Sequence, residues 1–295
     1  MKPFFSIVIA NYNFGRFLSP AIESIRKQSF RDFELIIVDG GSTDNSLEVI
    51  KKYAKGLPPN VEREEDEITP CISWWCSEPD GGQSAAFNKG FAHAKGKFLT
   101  WLNADDIMLP GALEAVWKKL QKAKNADWAT GNFIRFRESD KVIIQAEWGP
   151  HYLPCCLQGR HFPLMIFGPT TFWRRSVYNK IGGIDETLHY GMDTEYWWRL
   201  TVNGYKQVRV NHDLWAFRMH EDSKTAEYGD HHNTEEVQKI KSSEYYYFIK
   251  KNGVDVRWWA CYLIRLLRLL DFSYMRRMWR KVVLVGRKIE SAENE

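Results

Sequence analysis

Two carboxylates and a carboxamide stand close together in residues 101–110 (WLNADDIMLP). Residues 96–100 before them have the composition of a buried strand, and Pro110 precedes a helix-like stretch. Polar groups at the carboxyl end of a strand lie where open α/β sheets bind ligands. Their oxygens suit a hard divalent ion that completes its coordination with phosphates and water. The alternative is a turn in which Asn103 and Asp105 only cap backbone groups.

Another carboxylate, Asp39, stands at a comparable position earlier in the chain. It ends the apolar run 33–38 (FELIIV) and precedes two glycines, which let a ligand approach the backbone closely. Helical patterns at 18–28 and 46–53 alternate with this run and with the apolar run 4–10, as in parallel β-α-β winding. The alternative is a strand-to-helix turn in which Ser42 or Asp44 caps the helix, but that reading does not require Asp39.

Residues 77–90 (SEPDGGQSAAFNKG) form a third motif of the same type. A strand-like run leads into a Pro-Asp-Gly-Gly turn, and a helix opens with small residues whose free backbone N–H groups favour anions. Asp80 is again a carboxylate at a strand end. We expect Asn88 and Lys89, about two turns into the helix, to face the same crevice.

Together the motifs at 7–13, 38–44, 78–83 and 101–106 resemble those of glycosyltransferase family 2 in order and spacing. The resemblance covers about residues 4–225 and implies a GT-A fold and inverting transfer from a sugar nucleotide. In such enzymes the residues after the first strand cradle the nucleoside, and aspartates matching Asp39 and Asp80 hydrogen-bond the base, usually uracil. The residues that the resemblance assigns to the nucleotide sugar are Ala10, Asn11, Tyr12, Asp39, Asp80, Gly82, Asn88, Asn103, Ala104 and Asp105.

The metal motif departs from the family in one residue. The commoner Asp-x-Asp-Asp is Asn-Ala-Asp-Asp here, so Asp105 becomes the main candidate ligand for Mn²⁺ or Mg²⁺, while Asn103 can offer a carbonyl oxygen or bond the ribose. Residues 217–225 (FRMHEDSKT) resemble a loop that closes over the donor diphosphate. His220 in that loop is a possible second ligand, because neutral imidazole binds manganese, and the alternative is a solvent-exposed histidine.

The catalytic base is expected in residues 182–199, which resemble the segment where a Met-Asp or Glu-Asp pair opens a helix. By position Asp193 matches the base, and Glu195 is a weaker second choice. The alternative is that Asp193 only caps the helix, where aspartate is favoured. Residues 167–175 (FGPTTFWRR) resemble the acceptor-side strand. Trp101 and Trp173 lie close enough to these motifs to stack on a sugar.

The end of the chain differs in charge from the rest. Residues 257–288 hold nine basic residues and one acidic residue, whereas the whole chain has a net charge of +4, so the remainder is net acidic. Apolar residues recur there at helical spacing, and no uncharged stretch is long enough to span a bilayer. A basic amphipathic helix with aromatic residues indicates binding to a membrane surface. The alternative is a helical pair that packs on the catalytic domain.

The remaining features predict an intracellular protein. The five cysteines include no C-x-x-C, and Cys155 and Cys156 are adjacent, so a reducing compartment is the simplest expectation. Residues 1–10 lack a cleavage site and lead directly into a strand, which argues against a signal peptide. His231 and His232 are expected at a solvated helix start, and the acidic segment 58–70 is expected to be a surface insertion.

We therefore predict an α/β fold with a GT-A type sheet flanked by helices and a helical, basic appendage. Residues 1–225 would form the catalytic domain, with a nucleotide-binding half at 1–110 and an acceptor half at 111–225. Residues 226–295 would form the helical region.

The predicted function is transfer from a UDP-sugar to a hydroxyl of a saccharide or lipid-linked acceptor in cell-surface polysaccharide synthesis. The expected partners are the donor, the acceptor and the cytoplasmic face of an anionic membrane; no nucleic-acid motif accompanies the charge. Two other classes remain open. One is a non-catalytic, membrane-associated nucleotide-binding module. The other is a sugar-nucleotide pyrophosphorylase, which should carry a glycine-rich, Arg-containing loop where this chain has residues 11–15 (NYNFG).

Overall fold

The computed structural model describes residues 2–54, 71–147, 170–223, 247, 250, 251 and 273–289. Within these ranges, nine strands form one mixed sheet. They are β1 (Phe5–Asn11), β2 (Phe33–Asp39), β3 (Ile72–Ser77), β4 (Phe98–Asn103), β5 (Ile107–Met108), β6 (Trp128–Arg137), β7 (Ile143–Glu147), β8 (Thr171–Arg174) and β9 (Gln207–Met219). Helices in these ranges are α1 (Gly15–Arg26), α2 (Ser46–Tyr53), α3 (Gln83–His93), α4 (Ala112–Lys122), α5 (Arg175–Ile181), α6 (Met192–Val202) and α7 (Ser273–Leu284).

The first half of the chain forms the predicted parallel β-α-β unit. The strand order is β3-β2-β1-β4-β8-β6-β9-β5, β7 pairs with β6 off this path, and the first four strands of the order run parallel. Their register pairs Asn11 with Asp39, Asp39 with Ser77, and Ala10 with Asn103. The carboxyl ends of four strands therefore meet at one edge, which confirms the predicted placement of the motifs at strand ends.

Both faces of the sheet are buried, and the alternation along β1 shows why. Ile7 and Ile9 belong to the core under α1, α2 and α4, whereas Val8 belongs to the core under α3 and α6. A strand with a core on each face must be apolar at every position, as residues 5–10 nearly are. Gly90 of α3 permits close packing, because a Cβ there would lie 2.3 Å from a Val8 methyl carbon.

The core under α3 and α6 contains an aromatic cluster, and its packing differs from the predicted role of Trp101 and Trp173. Trp101 and Trp197 stack with centroids 5.1 Å apart, and Trp173 packs edge-on against both rings. Trp101 is 1% exposed and Trp173 is fully buried. Trp173 is enclosed in this core and cannot stack on a sugar in this structure, whereas Trp101 contributes a nearly buried part of the cavity wall at the strand ends. These residues fix α6 against the sheet.

The described part of the C-terminal region packs beside β7. Residues 286–289 continue from α7 and exchange backbone hydrogen bonds with residues 141–143, and Ile289 joins a small core with Phe136 and Ile143. None of the helices in the described ranges is long and apolar enough to cross a membrane. The predictions for residues 58–70, Cys155, Cys156, His231, His232 and 257–272 lie outside the described residues.

Candidate active site

A cavity of about 750 Å³ opens where β1, β2, β3 and β4 end. This volume is typical of small-molecule sites. Its wall combines the strand ends with the start of α6 and with one face of β6 and β9. The predicted residues that line it are Ala10, Asn11, Tyr12, Asp80, Gly82, Trp101, Asn103, Ala104, Asp105 and Asp193. The lining residues that the sequence did not single out include Phe133, Arg135, His189, Tyr190, Trp215 and Phe217.

Asp39 does not line the cavity, contrary to its expected direct contact with a base. Its carboxylate is fully buried and accepts hydrogen bonds from Asn11 Nδ2 (2.6 Å), Ser77 Oγ (2.6 Å), and both Oγ and N of Ser42. Burial would raise the pKa of Asp39, but the hydrogen bonds from Ser42, Ser77 and Asn11 outweigh it and lower that pKa. Asp39 therefore acts on the cavity through Asn11, whose Oδ1 has no partner among the described residues.

Asp80 lies on the cavity wall, as predicted, against the backbone of Gly40. A Cβ at residue 40 would lie 3.1 Å from Asp80 Oδ2, so a larger residue there would displace the carboxylate. Asp80 Oδ1 accepts the N–H of Gly82 at 2.8 Å. Gly82 has φ of 101°, which a side chain would strain, and it precedes the first turn of α3. The turn thus fixes Asp80 in place beside the free N–H groups of that helix.

Asn103 is held by two neighbours, which explains the amide in place of the family's usual aspartate. Its Nδ2 donates to Asp106 Oδ2 at 2.7 Å, and its Oδ1 accepts from Gln83 at 3.3 Å. Asp106 is fully buried, and its pKa is raised well above the usual value by that burial and by the charge of Asp105. An ionised aspartate at position 103 could not donate to Asp106 Oδ2 as the amide of Asn103 does. The hydrogen bonds of the Asn103 and Asp105 side chains are to other side chains, so the alternative in which these two residues only cap backbone groups is not what the structure has.

Asp105 and His220 come together although 115 positions separate them. His220 Nε2 lies 3.0 Å from Asp105 Oδ2, and the imidazole packs 4.4 Å from the ring centre of Phe17. Its side chain is 4% exposed, so it is not the solvent-exposed loop histidine of the alternative. Two adjacent ligands of an octahedral ion, each about 2.1 Å from the metal, are about 3.0 Å apart. The two side chains are hydrogen-bonded to each other at this distance, and the same spacing would allow both to ligate one divalent ion; the described residues contain no group of three potential ligands.

Arg218 fixes this pair and was missed by the sequence reasoning. It is 1% exposed, its Nε donates to the backbone oxygen of Asp105 at 2.7 Å, and its Nη1 pairs with Glu138. The backbone N–H of Arg218 donates to Asp106 Oδ1 at 2.9 Å. The turn that carries Asp105 is thereby tied to β9, two residues before His220. Alternate residues of a strand face opposite sides of the sheet. The sequence could therefore have placed Arg218 on the side opposite to Phe217 and Met219.

Asp193 lines the cavity from the first turn of α6, at the second helical residue. The N-cap residue of that helix is Gly191, so Asp193 does not occupy the capping position itself. Its Oδ1 accepts the N–H of Thr194 at 2.6 Å. Glu195 is 2% exposed and pairs with Arg199 at 2.9 Å, away from the cavity lining. The structure thus separates the two candidate bases and leaves Asp193 as the one on the cavity wall.

Asn88 and Lys89 do not reach the cavity, in contrast to the expectation for α3. Asn88 donates to Ile184 O and accepts from Ile184 N, both at 2.8 Å, so its amide anchors the loop before α6. Lys89 pairs on the surface with Glu78 at 2.9 Å. The helix presents Gln83 and Ala86 to the cavity instead, because Asn88 lies on the face toward the 182–186 loop.

Residues 6–182 match the sequence model of glycosyl transferase family 2. An uncharacterized glycosyltransferase of Nostoc sp. is 40% identical over 147 residues, which cover 48% of this chain and 40% of that protein. The minor teichoic acid biosynthesis protein GgaB of Bacillus subtilis is 26% identical over 238 residues, which cover 75% of this chain and 24% of that protein. The chain thus spans less than half the length of either relative.

Two solved structures share the fold. S. aureus TarS in complex with UDP-GlcNAc superposes with a TM-score of 0.55 at 16% identity, over 81% of this chain and 64% of that chain. The mannosyltransferase PcManGT from Pyrobaculum calidifontis, in complex with GDP-Man and Mn²⁺, gives a TM-score of 0.54 at 12% identity. The superposition covers 95% of this chain and 83% of that chain. These likenesses establish a GT-A architecture for the sheet and its helices.

Proposed function

The chain belongs to glycosyl transferase family 2, and from that premise we propose that it is a metal-dependent enzyme that transfers a sugar from a UDP-linked donor to an acceptor hydroxyl. The observation that supports the proposal best is that one cavity is lined both by Asp193 and by Asp105, which lies against His220. An inverting displacement requires a base for the acceptor hydroxyl and stabilisation of the leaving diphosphate, which Asp193 and a divalent ion held by Asp105 and His220 would supply. A nucleotide-binding module without catalysis would not need Asp193 on that wall.

The chemistry follows from the positions of these residues. Asp193 would accept the proton of the acceptor hydroxyl while that oxygen bonds to C1 of the donor sugar. The bond from C1 to the diphosphate oxygen breaks, and the leaving nucleoside diphosphate keeps the electron pair. A single displacement inverts the anomeric configuration and requires one base. A divalent ion held by Asp105 and His220 would offset the negative charge on the leaving diphosphate.

The choice of uridine is supported by the acceptors at the nucleoside end. The Asp80 carboxylate and the unpartnered Oδ1 of Asn11 are both hydrogen-bond acceptors, and uracil offers an N3–H donor. The buried Asp39 would orient Asn11 through its Nδ2 and leave Oδ1 as the atom for the base. The TarS neighbour binds UDP-GlcNAc, whereas PcManGT binds GDP-Man. The identity of the nucleobase is therefore the quantity that the next experiment tests.

Donor and metal can be tested together. The thermal unfolding midpoint would be measured with UDP, GDP and ADP, each with Mn²⁺ and with chelator. A ligand at a hundred times its Kd stabilises the folded state by about 2.7 kcal/mol. The proposal predicts the largest shift for UDP with metal, a loss of that shift in Asp105→Ala, and release of UDP from a UDP-sugar. Equal shifts for all three nucleotides would contradict the uridine assignment.

We further propose that the protein works on a saccharide or lipid-linked acceptor in cell-surface polysaccharide synthesis, at the cytoplasmic face of an anionic membrane. One face of α7 packs inward through Arg280, which pairs with Asp213. The other face exposes Met275, Met278, Trp279 and Val282 by 60–79%. Exposed basic side chains accompany this apolar stripe at Lys281, Arg287 and Lys288. Aromatic and apolar residues flanked by cations suit an anionic lipid surface.

Membrane binding is best tested with point substitutions. A deletion of the tail would also remove Ile289 and Leu284, which pack against the core beside β7. Met278→Ser with Trp279→Ser should reduce co-sedimentation with vesicles that contain phosphatidylglycerol, without loss of folding. Unchanged sedimentation would contradict the proposal and favour a packing role for the tail.

A further inference from the structure

Arg135 is the one permanently charged cation among the described residues that line the cavity. The charged lining residues otherwise include the carboxylates Asp80, Asp105 and Asp193. The roles proposed above for the donor, the metal and the base use these three carboxylates and leave Arg135 without a function. A guanidinium on the wall of a substrate cavity has the planar donor geometry that matches phosphate and carboxylate groups.

Three strands hold the Arg135 side chain. On β6, Arg135 is in register with Phe217 of β9, and its Nη1 donates to Gln145 of β7 at 3.1 Å. Its guanidinium carbon lies 5.7 Å from the ring centre of Phe133 and 5.5 Å from that of Phe217. The group is thus positioned before any ligand binds, which lowers the entropic cost of binding.

Neighbouring arginines have acidic partners, and Arg135 does not in the part of the chain that the structure describes. Arg137 pairs with Asp140 at 2.9 Å, and Arg218 pairs with Glu138. Among the described residues, the Arg135 guanidinium donates a hydrogen bond to the neutral amide of Gln145. The buried Nε of Arg135 has no hydrogen-bond partner among those residues. A buried or half-buried charge without a counter-ion is costly, and an anionic ligand would relieve that cost.

We propose that Arg135 binds an anionic group, phosphate or carboxylate, of the acceptor. This inference rests on the transferase function proposed above. The donor diphosphate is a second source of the same chemistry, but Asp105 and His220 already provide a metal site for it. Phe133, Trp215 and Phe217 beside the guanidinium provide apolar surface for a sugar ring. The acceptor would therefore be a sugar that carries a negative charge.

The test compares a charged and a neutral sugar on the protein loaded with UDP and Mg²⁺. Calorimetric titration should show glucose 6-phosphate binding at least about tenfold more tightly than glucose, the scale of a charge-assisted hydrogen bond. Arg135→Gln should remove that preference, and Arg135→Lys should retain part of it. The matched control is Arg137→Gln, on the same strand but outside the cavity lining, which should keep the full preference. A preference that survives in Arg135→Gln, or that is absent from the wild type, overturns the inference.

A second titration separates the acceptor from the donor. The ratio of the Kd values for UDP and uridine should be the same in Arg135→Gln and in the wild type. If Arg135→Gln loses the preference for UDP, Arg135 binds the donor diphosphate and the acceptor assignment is overturned. If UDP does not bind the wild type, the proposed function itself fails, and the sugar titrations without nucleotide still report on Arg135.

Discussion

Replacing Arg218 with lysine is expected to weaken divalent-ion binding although Arg218 touches no proposed ligand atom. The guanidinium holds the backbone oxygen of Asp105 and the carboxylate of Glu138 at the same time, and it lies 5.0 Å from the ring centre of Phe17. A lysine ammonium is compact and cannot span both acceptors with planar geometry. The turn that carries Asp105 would then lose its link to β9 through Arg218 Nε.

The magnitude follows from the burial of the two partners. Breaking a fully buried ion pair costs about 3–5 kcal/mol, but the Glu138 side chain is 31% exposed and lysine keeps the charge. We therefore expect the free energy of unfolding to fall by about 2 kcal/mol. Loss of a group that orients a metal ligand typically lowers metal affinity about 10–100-fold, and we expect the lower end for this substitution.

Urea denaturation and a Mn²⁺ titration would measure the two effects separately. Arg137→Lys is the matched control, because Arg137 forms an exposed pair with Asp140 and should change stability by no more than about 0.5 kcal/mol. Wild-type Mn²⁺ affinity in a folded Arg218→Lys protein would refute the reasoning, since the link to Asp105 would then have no effect on the ion.

Three further substitutions test the network around the cavity. Asp39→Asn should lower stability by about 1–3 kcal/mol at pH 7. Because the folded-state pKa of Asp39 is lowered, this difference should be fully present above the unfolded pKa of about 3.9 and decline as pH falls from there through the lower folded-state pKa, which urea denaturation across pH would show. Asn103→Asp should destabilise the protein at neutral pH, because it sets a carboxylate against buried Asp106; unchanged unfolding would contradict the assigned amide orientation. Glu195→Gln should reduce the unfolding midpoint by breaking the pair with Arg199 while turnover per folded molecule stays within about threefold, and a selective loss of turnover would move the base to Glu195.

The strand ends could be predicted from the sequence because apolar runs followed by polar turns determine them locally. Asp39, Asp80 and Asn103 all lie at or just after the ends of β2, β3 and β4, as expected. The environment of Asp39 could not be predicted, because it depends on the register that sets Ser77 beside it on β3. Periodicity identifies a strand but does not give its register with a neighbour.

Long-range contacts account for the other differences. The resemblance to a known family suggested that His220 could join Asp105, but only the pairing of β5 with β9 brings the two segments together. Trp101 lies next to a motif and yet points into the core, because α6 covers that face of the sheet. Arg135 and Arg218 stand on neighbouring strands with opposite orientations, and the sequence alone does not tell which arginine faces a cavity.

The most direct test of the central claim is the rate of UDP release by Asp193→Asn compared with its affinity for the donor. The substituted amide keeps the size of the side chain at this position in the first turn of α6, so the fold and the donor Kd should remain close to wild type. Release of UDP from a UDP-sugar with Mn²⁺ should fall by at least about a hundredfold in Asp193→Asn, the scale of general-base catalysis. Undiminished release, or a loss that follows weaker donor binding, would contradict the role of Asp193 as the base.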